Sequence, residues 1–244
     1  MTTTGFETEP RRGRVGPWMG IAFVVLFVAG FLMFPMPSTN SHRVSNVAKW
    51  SAWWTHSNHR VMAVVAAYLM VLGALAFVWF ASSLQQRLRD RTDGTMMVGF
   101  AWLFAALAIA SALVRATIPG GWIFGSLTIP GGDLAAQLDG IGEGTLLVGG
   151  ALSAGAFLAS ACHATRRSVV FPAWLTTAGY VVAVLQFGAA FFFPFALFPL
   201  WVLVASIVLL RRDAQFRAGS MAAEHPERRL LHRQRQPKQP TADL

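Results

Sequence analysis

Two acidic residues inside an otherwise apolar stretch are the strongest candidates for chemistry in this sequence. Asp139 and Glu143 are four residues apart, so both lie on one face if the stretch is a helix. Arg115 lies near the end of the preceding apolar stretch, at a comparable depth if the two stretches run antiparallel. A charged side chain costs about 2.5 to 3.5 kcal/mol at the centre of a membrane helix, so such residues mark functional sites or buried pairs.

Two interpretations of this charge cluster remain open. In the first, Arg115 neutralises one carboxylate in an outward-open pocket, and the other carboxylate binds a ligand, a cation or a proton. Gln186 and Tyr68 fall in the same outer layer and would join that pocket. In the second interpretation, the three charges form a buried clasp that sets the register of the two helices.

Histidines offer a weaker candidate for a site. His56 and His59 are three residues apart and could share a metal ion with Asp139 or Glu143. No third histidine falls at that depth, and no histidines face each other inside the apolar stretches, as a b-type haem would require. The hydroxyl residues also lack a histidine partner at equal depth. The sequence therefore predicts no metal, no cofactor and no catalytic residue.

Six long apolar stretches must position these side chains. Hydrophobic residues make up 55% of the chain and charged residues 13%, whereas a soluble domain carries about a quarter charged residues. Each stretch is long enough to cross a hydrocarbon core of about 30 Å as a helix. The sequence predicts an all-α membrane bundle with six transmembrane helices, at residues 16–34, 61–83, 96–118, 134–161, 169–192 and 195–210.

Basic residues are distributed unevenly between the two sides of this predicted bundle. Of the twenty Lys and Arg residues, only Arg43, Lys49, Arg60 and Arg115 fall on the outer side. This asymmetry predicts that both termini are cytoplasmic, because inner loops carry the excess of Lys and Arg. The net charge of +9 then predicts attraction of the basic tail to anionic lipid, and not binding of nucleic acid.

The predicted organisation is a single membrane domain between two polar ends. Residues 1–15 and the basic residues 213–244 are predicted to be disordered cytoplasmic segments, and residues 16–212 form the six-helix domain. In the first outer loop, Trp50 and Trp54 recur at helical spacing, which predicts a short interfacial helix at about 44–56. Gly140 and Gly144 form a GxxxG pair that predicts close helix packing in the fourth stretch.

Several segments carry a resemblance to known membrane proteins. Residues 35–89 combine a proline-rich exit from the first stretch with a segment ending His59-Arg60 and the run AAYLMVLGALAFVWFASSLQQRLR. The fourth stretch contains QLDGIGEGTLLVGGALSAGAF, and FPAWL and FPLW occur in the fifth and sixth. Over residues 16–210 the chain resembles a group of small actinobacterial six-helix integral membrane proteins that share a domain of unknown function. The resemblance implies the architecture and a bacterial plasma membrane.

Two functions follow from these observations as predictions. The first is a non-catalytic integral membrane protein that acts as a scaffold or partner of another membrane component. The alternative is an outward-facing carrier of a small ligand or of protons that uses the cluster of Arg115, Asp139 and Glu143. Neutralising both carboxylates distinguishes the two, because only the carrier needs their charges.

Overall fold

The computed structural model describes residues 15–34, 46–88, 91–125, 131–166, 170–191 and 193–234. Over these residues the fold is all-α and contains no strand. The helices are α1 (Gly16–Met33), α2 (Asn46–Thr55), α3 (Ser57–Gln86), α4 (Arg91–Gly125), α5 (Gly132–Gly144), α6 (Ala151–Arg166), α7 (Ala173–Leu185) and α8 (Leu197–Gln234). A π-helical segment, Thr145–Gly150, joins α5 to α6, and two short 3₁₀ segments join α7 to α8.

Five helical segments of the described chain are long and apolar enough to cross a membrane. They are Gly16–Met33, Ser57–Gln86, Gly94–Gly121, Gly132–Arg166 and Pro194–Gln215. A sixth apolar helix, Ala173–Gly188, is shorter, and its geometry changes from α-helical to 3₁₀ at Gln186. The structure thus confirms an all-α architecture compatible with a membrane bundle, whereas the six spans and the side of the termini stay predictions.

The helices pack in an order that follows the chain. α1 packs between α3 and α8, α3 packs against α4, and α4 packs against α5, the π segment and α6. α6 then packs against α7, which also touches α8. Glycine permits the closest of these approaches: a Cβ atom on Gly73 of α3 would lie 2.9 Å from the backbone nitrogen of Phe27 in α1. α1 and α3 are therefore in near-backbone contact.

Phenylalanine fills the centre of the bundle. The Phe77 ring lies 4.9, 5.2, 4.8 and 5.3 Å, centroid to centroid, from the rings of Phe23, Phe104, Phe157 and Phe198. These five side chains come from five different helices and are fully buried. Edge-to-face ring packing of this kind fills space densely. The described part of the bundle therefore has an apolar, packed centre.

The short helix between α1 and α3 packs on the bundle. α2 spans Asn46–Thr55, which agrees with the prediction of a helix at about 44–56, and it packs against α5 and α3. Its Trp54 side chain is only 2% exposed, and the Trp50 ring stacks 6.4 Å from it. α2 therefore covers part of α5.

The last helix is longer than the sequence predicts. The helix α8 continues over residues 213–234, the segment that was predicted to be a disordered tail, and the disorder of that segment stays a prediction. At its start this extension is bound to α3, since Arg87 donates two hydrogen bonds of 2.9 Å to the carboxylate oxygens of Asp213. The remaining residues of the predicted tail, 235–244, and residues 1–14 of the predicted N-terminal segment lie outside the described residues.

Candidate functional site

A buried ion pair joins α4 to α5. The Nε atom of Arg115 donates a hydrogen bond of 2.6 Å to Oδ1 of Asp139. The Arg115 side chain is 0% exposed and that of Asp139 is 9% exposed. Both residues belong to helical segments that are long and apolar enough to cross a membrane, and the protein itself buries most of the pair. A charge-assisted hydrogen bond in such surroundings is strong, but it forms only after both charges lose their hydration.

Small residues around the pair bring the two helices close together. Gly142 lies three residues after Asp139, on the same buried face of α5. A Cβ atom on Gly142 would collide with Cγ of Arg115 and lie 3.0 Å from the Ser111 carbonyl oxygen. The Ser111 hydroxyl donates a hydrogen bond of 2.6 Å to the Gly142 carbonyl oxygen. The absence of a side chain at Gly142 therefore leaves room for the arginine side chain to pass along α5.

The guanidinium group of Arg115 has three distinct environments. Its Nε bonds Asp139, and its Cζ lies 4.0 Å from the centre of the Phe34 ring at the end of α1. A cation over an aromatic face is attracted by the ring quadrupole. Its Nη1 and Nη2 atoms are buried and have no hydrogen-bond acceptor in the part of the chain that the structure describes. The pair is therefore held by one strong bond and by ring stacking, and four N–H donors are unused.

Glu143 does not join this pair. Its side chain is half-buried, and no ion pair or hydrogen bond connects it to another residue within the described ranges. Four residues of helix place it 40° away from Asp139, at the edge of the buried face of α5. Of the two carboxylates in the predicted cluster, it is Asp139 and not Glu143 that pairs with Arg115 in the described structure.

The close helix approach at α5 is made by a different glycine from the predicted pair. Gly140 and Gly144 are exposed on the bundle, and a Cβ atom on either would meet no described neighbour within 4 Å. Within the described residues this GxxxG pair makes no close contact with another helix, because both glycines lie on the exposed side of α5. Gly142 was predicted together with this pair as one of the glycines that allow other backbones to approach closely, whereas Ser111 and Phe34 were not predicted. Ser111 could have been found from its helical spacing to Arg115.

The two polar residues predicted to complete the pocket lie elsewhere. Gln186 is buried, and its Nε2 donates a hydrogen bond of 2.9 Å to the Pro194 carbonyl oxygen, which ties the two 3₁₀ segments together. It also packs beside Gly155 of α6. Tyr68 is 63% exposed on the outer surface of α3. Of the five predicted residues, only Arg115 and Asp139 are joined by a hydrogen bond in the described structure.

The two histidines lie where α2 ends and α3 begins, and they contact residues of that turn. The His59 ring stacks 3.8 Å from the Trp53 ring, and its Nδ1 lies 2.9 Å from the Trp53 carbonyl oxygen. His56 is exposed and its ring lies 5.4 Å from that of His59. The described residues include no group of three or more His, Cys, Asp or Glu that could hold a metal ion. This arrangement anchors the turn between α2 and α3.

Comparison with known proteins identifies no relative of this chain. The chain matches no protein-family model, no curated protein and no solved structure. Its resemblance to the six-helix actinobacterial proteins stays a prediction. Function is therefore inferred from the ion pair, the packed centre and the surfaces of the bundle.

Proposed function

We propose that this chain is a non-catalytic integral membrane protein that acts as a scaffold or partner of another membrane component. In this proposal six helices cross a bacterial plasma membrane and both termini are cytoplasmic. The uneven distribution of basic residues supports that orientation: Arg87 follows α3, Arg166 is the last residue of α6, and Arg211 lies in α8 two residues before Asp213, the ion-pair partner of Arg87.

The proposal rests on the exposed face of α5. Gln137, Gly140, Ile141 and Gly144 are exposed on the bundle surface, and the half-buried Glu143 lies at the edge of this face. In lipid, exposed glycines four residues apart allow a second helix to approach closely, and polar side chains beside them hydrogen-bond across the interface. A carboxylate and an amide facing hydrocarbon alone would be unfavourable. We name Gln137, Gly140, Ile141, Glu143 and Gly144 the α5 face.

The interior of the bundle supports a structural role for the buried charges. The ring cluster around Phe77 fills the centre, and Arg115 and Asp139 neutralise each other at a helix contact. A carrier needs a solvated path that reaches its site, and the packed rings lie across the middle of the described bundle. The ion pair is thus best suited to hold α5 in the orientation that presents the α5 face to a partner.

In-cell photo-cross-linking tests this proposal. A photoreactive amino acid at Ile141 should give a discrete adduct with one membrane protein. The double variant Gly140→Ile, Gly144→Ile should abolish the adduct, because its side chains block close approach. The matched control is Ala106→Ile, Ala110→Ile, which introduces the same two side chains at the same spacing on exposed positions of α4. Adducts with lipid alone, or equal loss in both double variants, would refute a partner at the α5 face.

The carrier remains the second candidate because of one observation. Nη1 and Nη2 of Arg115 have no acceptor among the described residues, so they could bind an anionic ligand. Asp139→Asn combined with Glu143→Gln distinguishes the two functions in a strain in which loss of the gene has a measurable phenotype. At normal membrane levels, a scaffold retains function whenever this variant still forms the Ile141 cross-link, whereas a carrier loses function although the cross-link remains.

A further inference from the structure

A cavity of about 430 Å³ lies between the end of α6 and the first two turns of α7. It is lined by Arg166 from the last turn of α6, Phe171 from the connection, and Thr176, Thr177 and Tyr180 from α7. Its volume falls within the range of about 300 to 1,000 Å³ that is usual for small-molecule sites. The cavity shares no residue with the Arg115–Asp139 pair or with the α5 face.

The hydrogen-bonding groups of this cavity require a particular ligand. The Thr177 hydroxyl donates to the Ala173 carbonyl oxygen at 3.1 Å, and the Thr176 hydroxyl donates to the Pro172 carbonyl oxygen at 3.5 Å. A threonine hydroxyl has one proton and two acceptor lone pairs, so these hydroxyls present acceptors to a ligand. The Arg166 guanidinium can only donate. The matching ligand combines an anion with neutral hydrogen-bond donors.

We propose that this cavity binds a phosphate group with neighbouring hydroxyls, as in the head group of phosphatidylglycerol. Arg166 binds the phosphate oxygens, and Thr176 and Thr177 accept hydrogen bonds from the glycerol hydroxyls. An ammonium head group would place a second cation beside Arg166, which disfavours phosphatidylethanolamine. Arg166 also ends the membrane-spanning segment Gly132–Arg166, so the cavity lies at head-group level. This placement rests on the proposed membrane orientation, and it favours lipid as the source of the phosphate.

Lipid titration of the purified full-length protein in detergent, read by native mass spectrometry, tests the site. Phosphatidylglycerol should bind about tenfold more tightly than phosphatidylethanolamine with the same acyl chains. Arg166→Gln should weaken phosphatidylglycerol binding about tenfold, because a hydrogen bond to a charged group is lost. Arg211→Gln is the matched control: it removes one exposed charge from α8, outside the cavity lining, and should change binding less than about twofold.

Comparing lipids with different head groups distinguishes a specific binding site from general attraction to negative charge. Thr177→Val should reduce binding of phosphatidylglycerol and leave phosphatidic acid, which has no head-group hydroxyls, unchanged. Equal binding of both lipids to the wild type, or equal losses in Arg166→Gln and Arg211→Gln, would refute the site. Glycerol 3-phosphate binding as tightly as phosphatidylglycerol would refute a lipid source and identify a soluble phosphate. The lipid-binding results do not depend on the cross-link at the α5 face, so each proposal can be refuted without refuting the other.

Discussion

Arg115 shows how one side chain is stabilised inside an apolar bundle. Asp139 neutralises its charge through Nε, the Phe34 ring covers its plane, and Gly142 leaves room for its methylene groups. A buried pair of this kind adds little net stability compared with apolar residues, but breaking it is costly because one charge is left alone. The pair therefore specifies how α4 and α5 fit together.

Removing Arg115 should therefore cost far more stability than the intact pair contributes. Arg115→Leu leaves the Asp139 carboxylate buried without a partner and should reduce the free energy of unfolding in detergent by about 3 to 5 kcal/mol. Adding Asp139→Asn and Glu143→Gln in the same background should recover most of that loss. Thermal unfolding of the three proteins measures both effects. If Arg115→Leu unfolds at the wild-type temperature, the ion pair has no role in helix packing.

Two glycines of α5 give a matched test of helix approach. Gly142→Ala places a Cβ atom against the Arg115 side chain, and overpacking of this kind costs about 1 to 3 kcal/mol. Gly140→Ala meets no described neighbour within 4 Å and should be neutral or stabilise the helix by up to about 1 kcal/mol. Thermal unfolding in one detergent compares the two. Equal effects would show that α5 is rotated relative to its described position.

At the scale of elements, the helices differ in how they end. α7 is α-helical only to Leu185 and then changes to 3₁₀ geometry, which leads into the turn before α8. Gln186 supplies a donor across the turn to the Pro194 carbonyl oxygen. The hairpin between α7 and α8 has no other polar side chain in its described part. Its closure therefore depends on one buried amide.

Replacement of that amide should loosen the hairpin. Gln186→Leu leaves the Pro194 carbonyl oxygen without its donor, and a lost buried hydrogen bond costs about 1 to 3 kcal/mol. Gln137→Leu is the control, because Gln137 is exposed on α5. Hydrogen exchange should increase around residues 186–196 in Gln186→Leu alone. Unchanged exchange in that variant would mean that ring packing holds the hairpin without the amide.

At the scale of the whole molecule, the bundle combines an apolar centre with charges at its ends and at one helix contact. The phenylalanine cluster joins α1, α3, α4, α6 and α8, so most spans share one core. The Arg87–Asp213 pair joins α3 to α8 at the basic end. The fold therefore offers its surfaces for recognition, namely the α5 face and the cavity between α6 and α7, while its interior is packed.

Reporter fusions test the predicted topology of this bundle. Fusions after Leu32, Arg89, Gly121, Arg167 and Arg212 should report outside, inside, outside, inside and inside, respectively, because inner loops carry the basic excess. Activity of alkaline phosphatase and fluorescence of a cytoplasmic reporter give complementary signals. An outside signal from the fusion at Arg212 would mean that α7 and α8 together do not form two spans.

The sequence alone determined the helical class, because long apolar stretches must form helices to satisfy their backbone groups in a membrane. It also placed Arg115 at the depth of Asp139, since the helical rise converts residue number into depth. Only the tertiary structure decided which carboxylate is paired, which glycine is packed, and that Gln186 and Tyr68 lie elsewhere. The reason is rotation: a nearly uniformly apolar helix has no polar face that shows which side meets its neighbour. Packing of the side chains against each other sets that rotation.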